Sequence, residues 1–158
     1  MRDFQIFISN LSGTHSMVPI ILIICAVLYL NHKQKDALKV FISSTTAMVV
    51  TYTLKYISDV PRPIDMLVPE TGSRFPSGHA TLAAVVMSLG IYYTYHHIHN
   101  PIIRYTLYVL SVLWFVMISY SRLYLGVHYP IDIIVGGLIG ILATITTIKI
   151  FKHVHYYN

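Results

Sequence analysis

Charged residues are scarce in this sequence: Asp, Glu, Lys and Arg make up only 11% of it, against about a quarter in a soluble domain. Hydrophobic residues fill 55%. That balance excludes an ordinary water-soluble domain and points to lipid as the solvent. Cysteine is nearly absent. The single Cys25 cannot form an internal disulfide, no Cys-rich metal pattern exists, and its place in an apolar run makes it packing filler or lipid-facing. The six acids do not cluster as a magnesium site requires. A cleavable leader is missing by pattern as well. Met1 to Asn10 holds one basic residue, and no small-residue cleavage site follows the first apolar run, which is expected to be a retained span. The net charge of +5 would suggest nucleic acid in a soluble protein. Here the basic residues sit at the ends of apolar runs, where membrane orientation and anionic headgroups explain them. The expected partners are a membrane and a lipid, not nucleic acid.

What is present is a series of five hydrophobic segments, each near the ~17–25 residues that a helix needs to cross a bilayer. They cover roughly Ser16 to Leu30, Ala37 to Tyr56, His79 to Tyr95, Ile102 to Tyr120 and Ile131 to Phe151. The first is the shortest and needs its flanks to span. Helix is the form expected throughout, because backbone in lipid must satisfy its own polar groups. Ahead of the first span, Phe4, Phe7, Ile8 and Leu11 share one helical face, which predicts a short helix at the membrane surface or against the bundle. Gly136 and Gly140 form a small-xxx-small pair that predicts close packing of two helices. The expected fold is all-α: a polytopic membrane bundle of about five transmembrane helices, as a single domain over residues 1–158.

Five spans put the chain ends on opposite faces. One face receives Lys33, Lys35, Lys39, Arg104, Lys149 and Lys152 against one acid, Asp36, and is the cytoplasmic candidate. The other holds Arg2, Lys55, Arg62, Arg74 and Arg122 together with nearly all the acids, and is expected to face outward. Three stretches fall on that outer face: Lys55 to Pro63, then Pro76-Ser77-Gly78-His79, then Ser121 to Asp132. Each alone has a structural explanation, as snorkelling cations, a helix start, or a His–Asp pair at a helix end. Their coincidence on one face fits a single task.

Phosphate esters hydrolyse so slowly that a catalyst must lower the barrier by more than ~20 kcal/mol, much of it through fixed positive charge and oriented donors. Arg62 and Arg122 offer planar forks for phosphate oxygens, and Lys55 adds a point charge. Ser77 and Gly78 open the third span, where free N–H groups and the helix dipole favour an anion. His128 as neutral imidazole can attack phosphorus, and Asp132 at i+4 can take its second ring nitrogen and fix its tautomer. His79 can protonate the leaving oxygen and then activate water. Three cationic side chains stand in for a metal, so no cofactor is expected.

These stretches resemble the signature of the type-2 phosphatidic acid phosphatase family, related to vanadium-dependent haloperoxidases. That signature reads Lys-x6-Arg-Pro, Pro-Ser-Gly-His and Ser-Arg-x5-His-x3-Asp, and all three match without substitution from Lys55 to Asp132. The resemblance implies phosphate contacts by Lys55, Arg62, Ser77, Gly78 and Arg122, with His79 as acid, His128 as nucleophile and Asp132 as its partner. It also implies a helical bundle with its site at the extracytoplasmic surface of a bacterial-type cytoplasmic membrane. Many bacterial members are described with six spans, where five are read here. Candidate substrates are undecaprenyl pyrophosphate, phosphatidylglycerol phosphate, phosphatidic acid and a lipid A phosphate, with the first two favoured. A lipid phosphotransferase and a non-catalytic phospholipid binder are the alternatives. Outside the motifs, His96, His97, His99, His153 and His155 read as solvated, and Trp114 as bundle packing. Asp59, Asp65, Glu70 and Arg74 read as solvated loop surface, with headgroup selection as the alternative.

Overall fold

The computed structural model describes residues 1–156, and all the regular structure among them is helical. Six helices follow in order: α1 (Arg2–Leu11), α2 (Thr14–Leu30), α3 (Gln34–Ser58), α4 (Gly78–His97), α5 (Pro101–Tyr124) and α6 (Pro130–Tyr156). Each of the five expected apolar segments lies inside one helix, and α1 is the expected short N-terminal one. Helix ends are marked by local chemistry. The Asn100 side chain accepts from the Ile102 and Ile103 N–H groups to cap α5, with Pro101 at its first position. Asp59 ends α3 in the left-handed region.

By length and composition α3, α5 and α6 can each cross a membrane. The α1–α2 pair, bent by 44°, passes the same test as one unit, since α2 alone has only 17 residues. Helix α4 does not pass, and its position explains why. It packs against α6, α5 and α3 and buries Ala80, Leu82, Ala83, Ala84, Val85 and Leu89, so it is wrapped mainly by protein. Helix α5, by contrast, leaves Ile102, Val109, Leu110, Leu113 and Val116 exposed, as a lipid-facing helix should.

A cluster including Met17, Ile21, Val40, Ala47, Leu82, Val85 and Leu89 ties α2, α3 and α4, with Cys25 and Trp114 packed against it. Of the hydroxyls inside the bundle, Ser44 donates to Val40 O (2.8 Å) and Thr51 and Thr81 bond across α3 and α4 (3.0 Å), whereas the buried Ser43 and Ser119 hydroxyls make no hydrogen bond among the described residues. The N-terminal helix departs from a simple amphipathic reading. Phe4 and Phe7 are exposed, whereas Gln5, Ile8 and Ser9 are buried, with Ile8 against Ala83 and Ile118. His96 and His97 edge or stack on Tyr92 and Tyr93 and stay exposed, and no metal-holding group of His, Cys, Asp or Glu exists among the described residues. Helix α6 runs on through His153, so that residue lies on a helix and not in a tail; the His155 side chain falls outside the described residues.

Gly136 and Gly140 set the approach of α6 to α4. A Cβ built on Gly136 would lie 2.5 Å from Ser77 O, and one on Gly140 would lie 2.4 Å from Thr81 O. Both neighbours are backbone, so the helices themselves would have to part. Gly140→Ala should therefore destabilise the protein by about 1–3 kcal/mol, read as a lower thermal midpoint in detergent. An unchanged midpoint would show that the helix pair can give way.

Candidate active site

The close α4–α6 contact brings the chemistry-bearing residues to one end of the bundle. Lys55 is in the last turn of α3, Gly78 and His79 open α4, Arg122 is in the last turn of α5, and Asp132 is in the first turn of α6. Arg62 comes from the loop after α3, and His128 from the loop before α6. The two loops are stitched together: Leu67 N–H donates to Leu125 O (3.0 Å). Gly126 takes φ +68° there, and a Cβ on it would lie 3.3 Å from Asp65 O, so the turn needs glycine twice over.

These residues surround a cavity of about 1010 Å³. Lys55, Arg62, Gly78, His79 and His128 line it, with Tyr52 and Tyr56 of α3 and Ser9 and Gly13 around the α1–α2 turn. A Cβ on Gly13 would lie 3.6 Å from His79 Nε2, so the N-terminal hairpin walls the His79 side. A Cβ on Gly78 would meet nothing closer than Met48 Cε at 3.9 Å. Protein packing leaves room for a side chain at Gly78, whose backbone is thus accessible from the cavity. The N–H groups of Gly78 and His79 lie in the first turn, where a helix provides them no partner.

The three cations are anchored by oxygens of the loops and of α1. Lys55 Nζ donates to Ser73 O (2.5 Å). Arg62 Nε donates to Gly72 O (3.1 Å) and its Nη1 to Val127 O (3.2 Å). Arg122 is 1% exposed and donates through Nη1 to Ser9 Oγ and through Nη2 to Glu70 Oε1 (2.5 Å). The other Glu70 oxygen lies 3.5 Å from Arg62 Nη2. One carboxylate thus bridges two guanidiniums. Burial opposes its charge, but Arg122 and then Arg62 outweigh that and hold the Glu70 carboxyl below its usual range.

His128 is buried, and its Nδ1 lies 3.4 Å from Asp132 Oδ2 without making a properly directed hydrogen bond. Burial first, and then the charges of Arg122, Arg62 and Lys55, push this imidazole down to about 2, so it is neutral throughout the physiological range. Asp132 is fully buried. Its Oδ2 accepts from Tyr129 N–H (2.8 Å), its Oδ1 from Arg74 Nη1 (2.5 Å), and its backbone carbonyl from Ser77 N–H (3.0 Å).

All eight residues singled out in the sequence converge here, but not on one surface. Ser77 is fully buried and its Oγ caps α4 by accepting from Ala80 N–H (3.4 Å); it is not among the cavity-lining residues, and neither are Arg122 and Asp132. Three partners were not singled out: Glu70 and Arg74, read as solvated loop with headgroup selection as the alternative, and Ser9, which lies opposite the apolar face read for α1 and so gave no signal in the sequence.

The family model of the PAP2 superfamily matches residues 36–156. Phosphatidylglycerophosphatase B of Bacillus subtilis is 30% identical over 90% of this chain and 71% of its own length. An undecaprenyl-diphosphatase of Sulfolobus acidocaldarius is 26% identical over 95% of the chain and 70% of its own. The crystal structure of a transmembrane PAP2-type phosphatidylglycerolphosphate phosphatase from Bacillus subtilis superposes with a TM-score of 0.83, covering 96% of this chain and 77% of that one at 25% identity. Aquifex aeolicus LpxE superposes at 0.74, over 94% of this chain and 85% of its own, also at 25% identity. With the family model matching from the start of α3 through α6, the chain belongs to the PAP2 superfamily.

Proposed function

We propose that this chain is a membrane lipid phosphatase that cleaves a phosphomonoester or pyrophosphate through a phosphohistidine at His128. The observation that carries this reading is Glu70: an oxyanion already bridges Arg122 and Arg62 beside the cavity that His79 and His128 line. A phosphoryl group offers the same forks more oxygens and a second charge, and Lys55 and the start of α4 add donors.

In the first step His128 Nε2 attacks phosphorus with its free lone pair. The bond from phosphorus to the lipid oxygen breaks, and His79 delivers a proton to that oxygen. Asp132 stabilises the charge that forms on the His128 ring. In the second step His79 takes a proton from water, the water oxygen attacks phosphorus, and the nitrogen–phosphorus bond breaks to release inorganic phosphate. Arg62 and Lys55, which line the cavity, hold the equatorial oxygens, and Arg122 joins them where the phosphoryl group takes over the bridge that Glu70 makes, supplying charge that metal ions supply in other phosphatases.

Phosphatidylglycerol phosphate and undecaprenyl pyrophosphate are the preferred substrates, a reading supported by the activities named for the Bacillus and Sulfolobus relatives. The lysine-rich opposite end of the bundle supports a site on the outer side of the cytoplasmic membrane. Phosphate release by the purified protein on a panel of these lipids, phosphatidic acid and a lipid A phosphate tests the proposal. Turnover on at least one, blocked by vanadate as a five-coordinate phosphorus mimic, is expected. Lipid binding without release of phosphate would make the chain a binder and sink it. Because His128 is held neutral, kcat/KM should show no loss attributable to its protonation until well below the usual imidazole range.

A further inference from the structure

Arg74 lies three residues ahead of Ser77, outside all three sequence motifs, and does not line the cavity. It is nonetheless firmly held. Its N–H donates to Val60 O (3.0 Å), its Nε to Pro61 O (3.1 Å), and its guanidinium sits 4.6 Å over the Tyr129 ring. So fixed, its Nη1 reaches Asp132 Oδ1 at 2.5 Å. Asp132 is fully buried, and its other oxygen faces His128.

We propose that Arg74 is a positioning residue for His128: by pairing with Asp132 it fixes the carboxylate and shares its charge, so that His128 stays neutral and nucleophilic. This rests on reading His128 as the nucleophile. A buried carboxylate with no cation of its own would draw a proton onto the neighbouring imidazole and remove the lone pair that attacks. With Arg74 in place, Oδ2 can still orient Nδ1–H without forcing the ring into its cationic form. The other groups acting on His128 are Arg122 from α5, Arg62 from the loop, Lys55 from α3 and His79 from α4. Lys55 and Arg62 act on Asp132 through longer-range charge, whereas the direct ion pair among the described residues is with Arg74.

The test is kcat/KM against pH for the purified full chain in detergent, with short-chain phosphatidic acid as substrate. Arg74→Gln should move the acid limb up by about one pH unit, a tenfold loss just below the limb, with a smaller loss on the plateau. Arg74→Lys keeps the charge without the fork and should shift the limb upward by less than half as much. If the glutamine variant does not fold, the lysine variant decides, and a limb coincident with wild type overturns the proposal. A uniform loss at every pH, or a raised KM with the limb unmoved, would reduce Arg74 to a structural or phosphate-holding role and also overturns it. His128→Ala in the same assay separates the two levels. Turnover that survives it defeats the nucleophile reading itself, whereas a dead His128→Ala beside an unmoved limb defeats only the role of Arg74.

Discussion

His128→Ala should lose phosphate release by at least about four orders of magnitude while the protein still folds. The expected size follows from what the imidazole supplies. Without it the reaction has no protein atom to take the phosphoryl group, and water must attack the lipid phosphate directly. The cations and the α4 N-terminus would remain, so some acceleration over solution should persist, as it does when other enzymes lose a nucleophile. Folding should survive because the ring borders a cavity, while its neighbours Leu125 and Val127, fully buried, carry the local packing. Removing the ring also takes no hydrogen bond from Asp132, which keeps Arg74 and the Tyr129 N–H. Wild-type protein quenched during turnover should carry phosphate in an acid-labile, base-stable linkage, and the variant should carry none. Label that survives acid would point to a different nucleophile.

His79→Asn should lose about 10²–10⁴ in kcat/KM on a lipid ester and much less on an aryl phosphate. The asymmetry comes from the leaving groups. A lipid alkoxide is a strong base and cannot depart without a proton, whereas a nitrophenolate departs unaided. Asparagine keeps a donor of similar reach without being able to give up its proton. On the aryl substrate the first step should therefore run and the second stall, because water activation also falls to His79. The result is a burst of nitrophenol close to one equivalent per enzyme, followed by slow turnover, with phosphoenzyme accumulating. Equal losses on both substrates and no burst would remove proton transfer from the duties of His79. Gly13 against the Nε2 edge places that edge beside the hairpin of α1 and α2, so bulk added at Gly13 should disturb the same step.

How much of this was readable from sequence follows from the physical range of each interaction. The helices were legible because a span in lipid is long, apolar and nearly free of charge, and breaks in that pattern fall at Lys33, Pro101 and Pro130. The convergence of Lys55, His79, Arg122 and Asp132 was legible because all four sit within a turn of a helix end, and the two crossings made by α4 and α5 return the chain to the face it left after α3. Five apolar segments did not translate into five helices of membrane-crossing composition, since α4 satisfies itself against protein and tolerates Thr, Tyr and His. Glu70 and Arg74 were opaque. The loop between α3 and α4 contains Asp59, Asp65, Glu70 and Arg74, and no periodicity says which of them turns inward. The choice is made by long-range anchors such as Arg74 N–H to Val60 O and Leu67 N–H to Leu125 O. Ser9 and Arg122 are 113 residues apart, and only the docking of α1 on α5 brings them together. Ser77 was placed correctly at the start of α4, where its hydroxyl caps the helix by accepting from Ala80 N–H, a bond that leaves the hydroxyl proton for another acceptor.

The Glu70 bridge gives the resting protein a tenant for its own anion seat. Phosphatidylglycerol and other phosphodiester headgroups surround such a protein at high local concentration, and a bare cluster of Arg62, Arg122 and Lys55 would be silted up by them. A singly charged diester gains little by evicting a carboxylate that already satisfies both arginines. A terminal phosphate, carrying a second charge and an extra oxygen, gains more. On the proposed reading of the site, the loop carboxylate would set an admission threshold, favouring lipids that end in a free phosphoryl group over the abundant diesters.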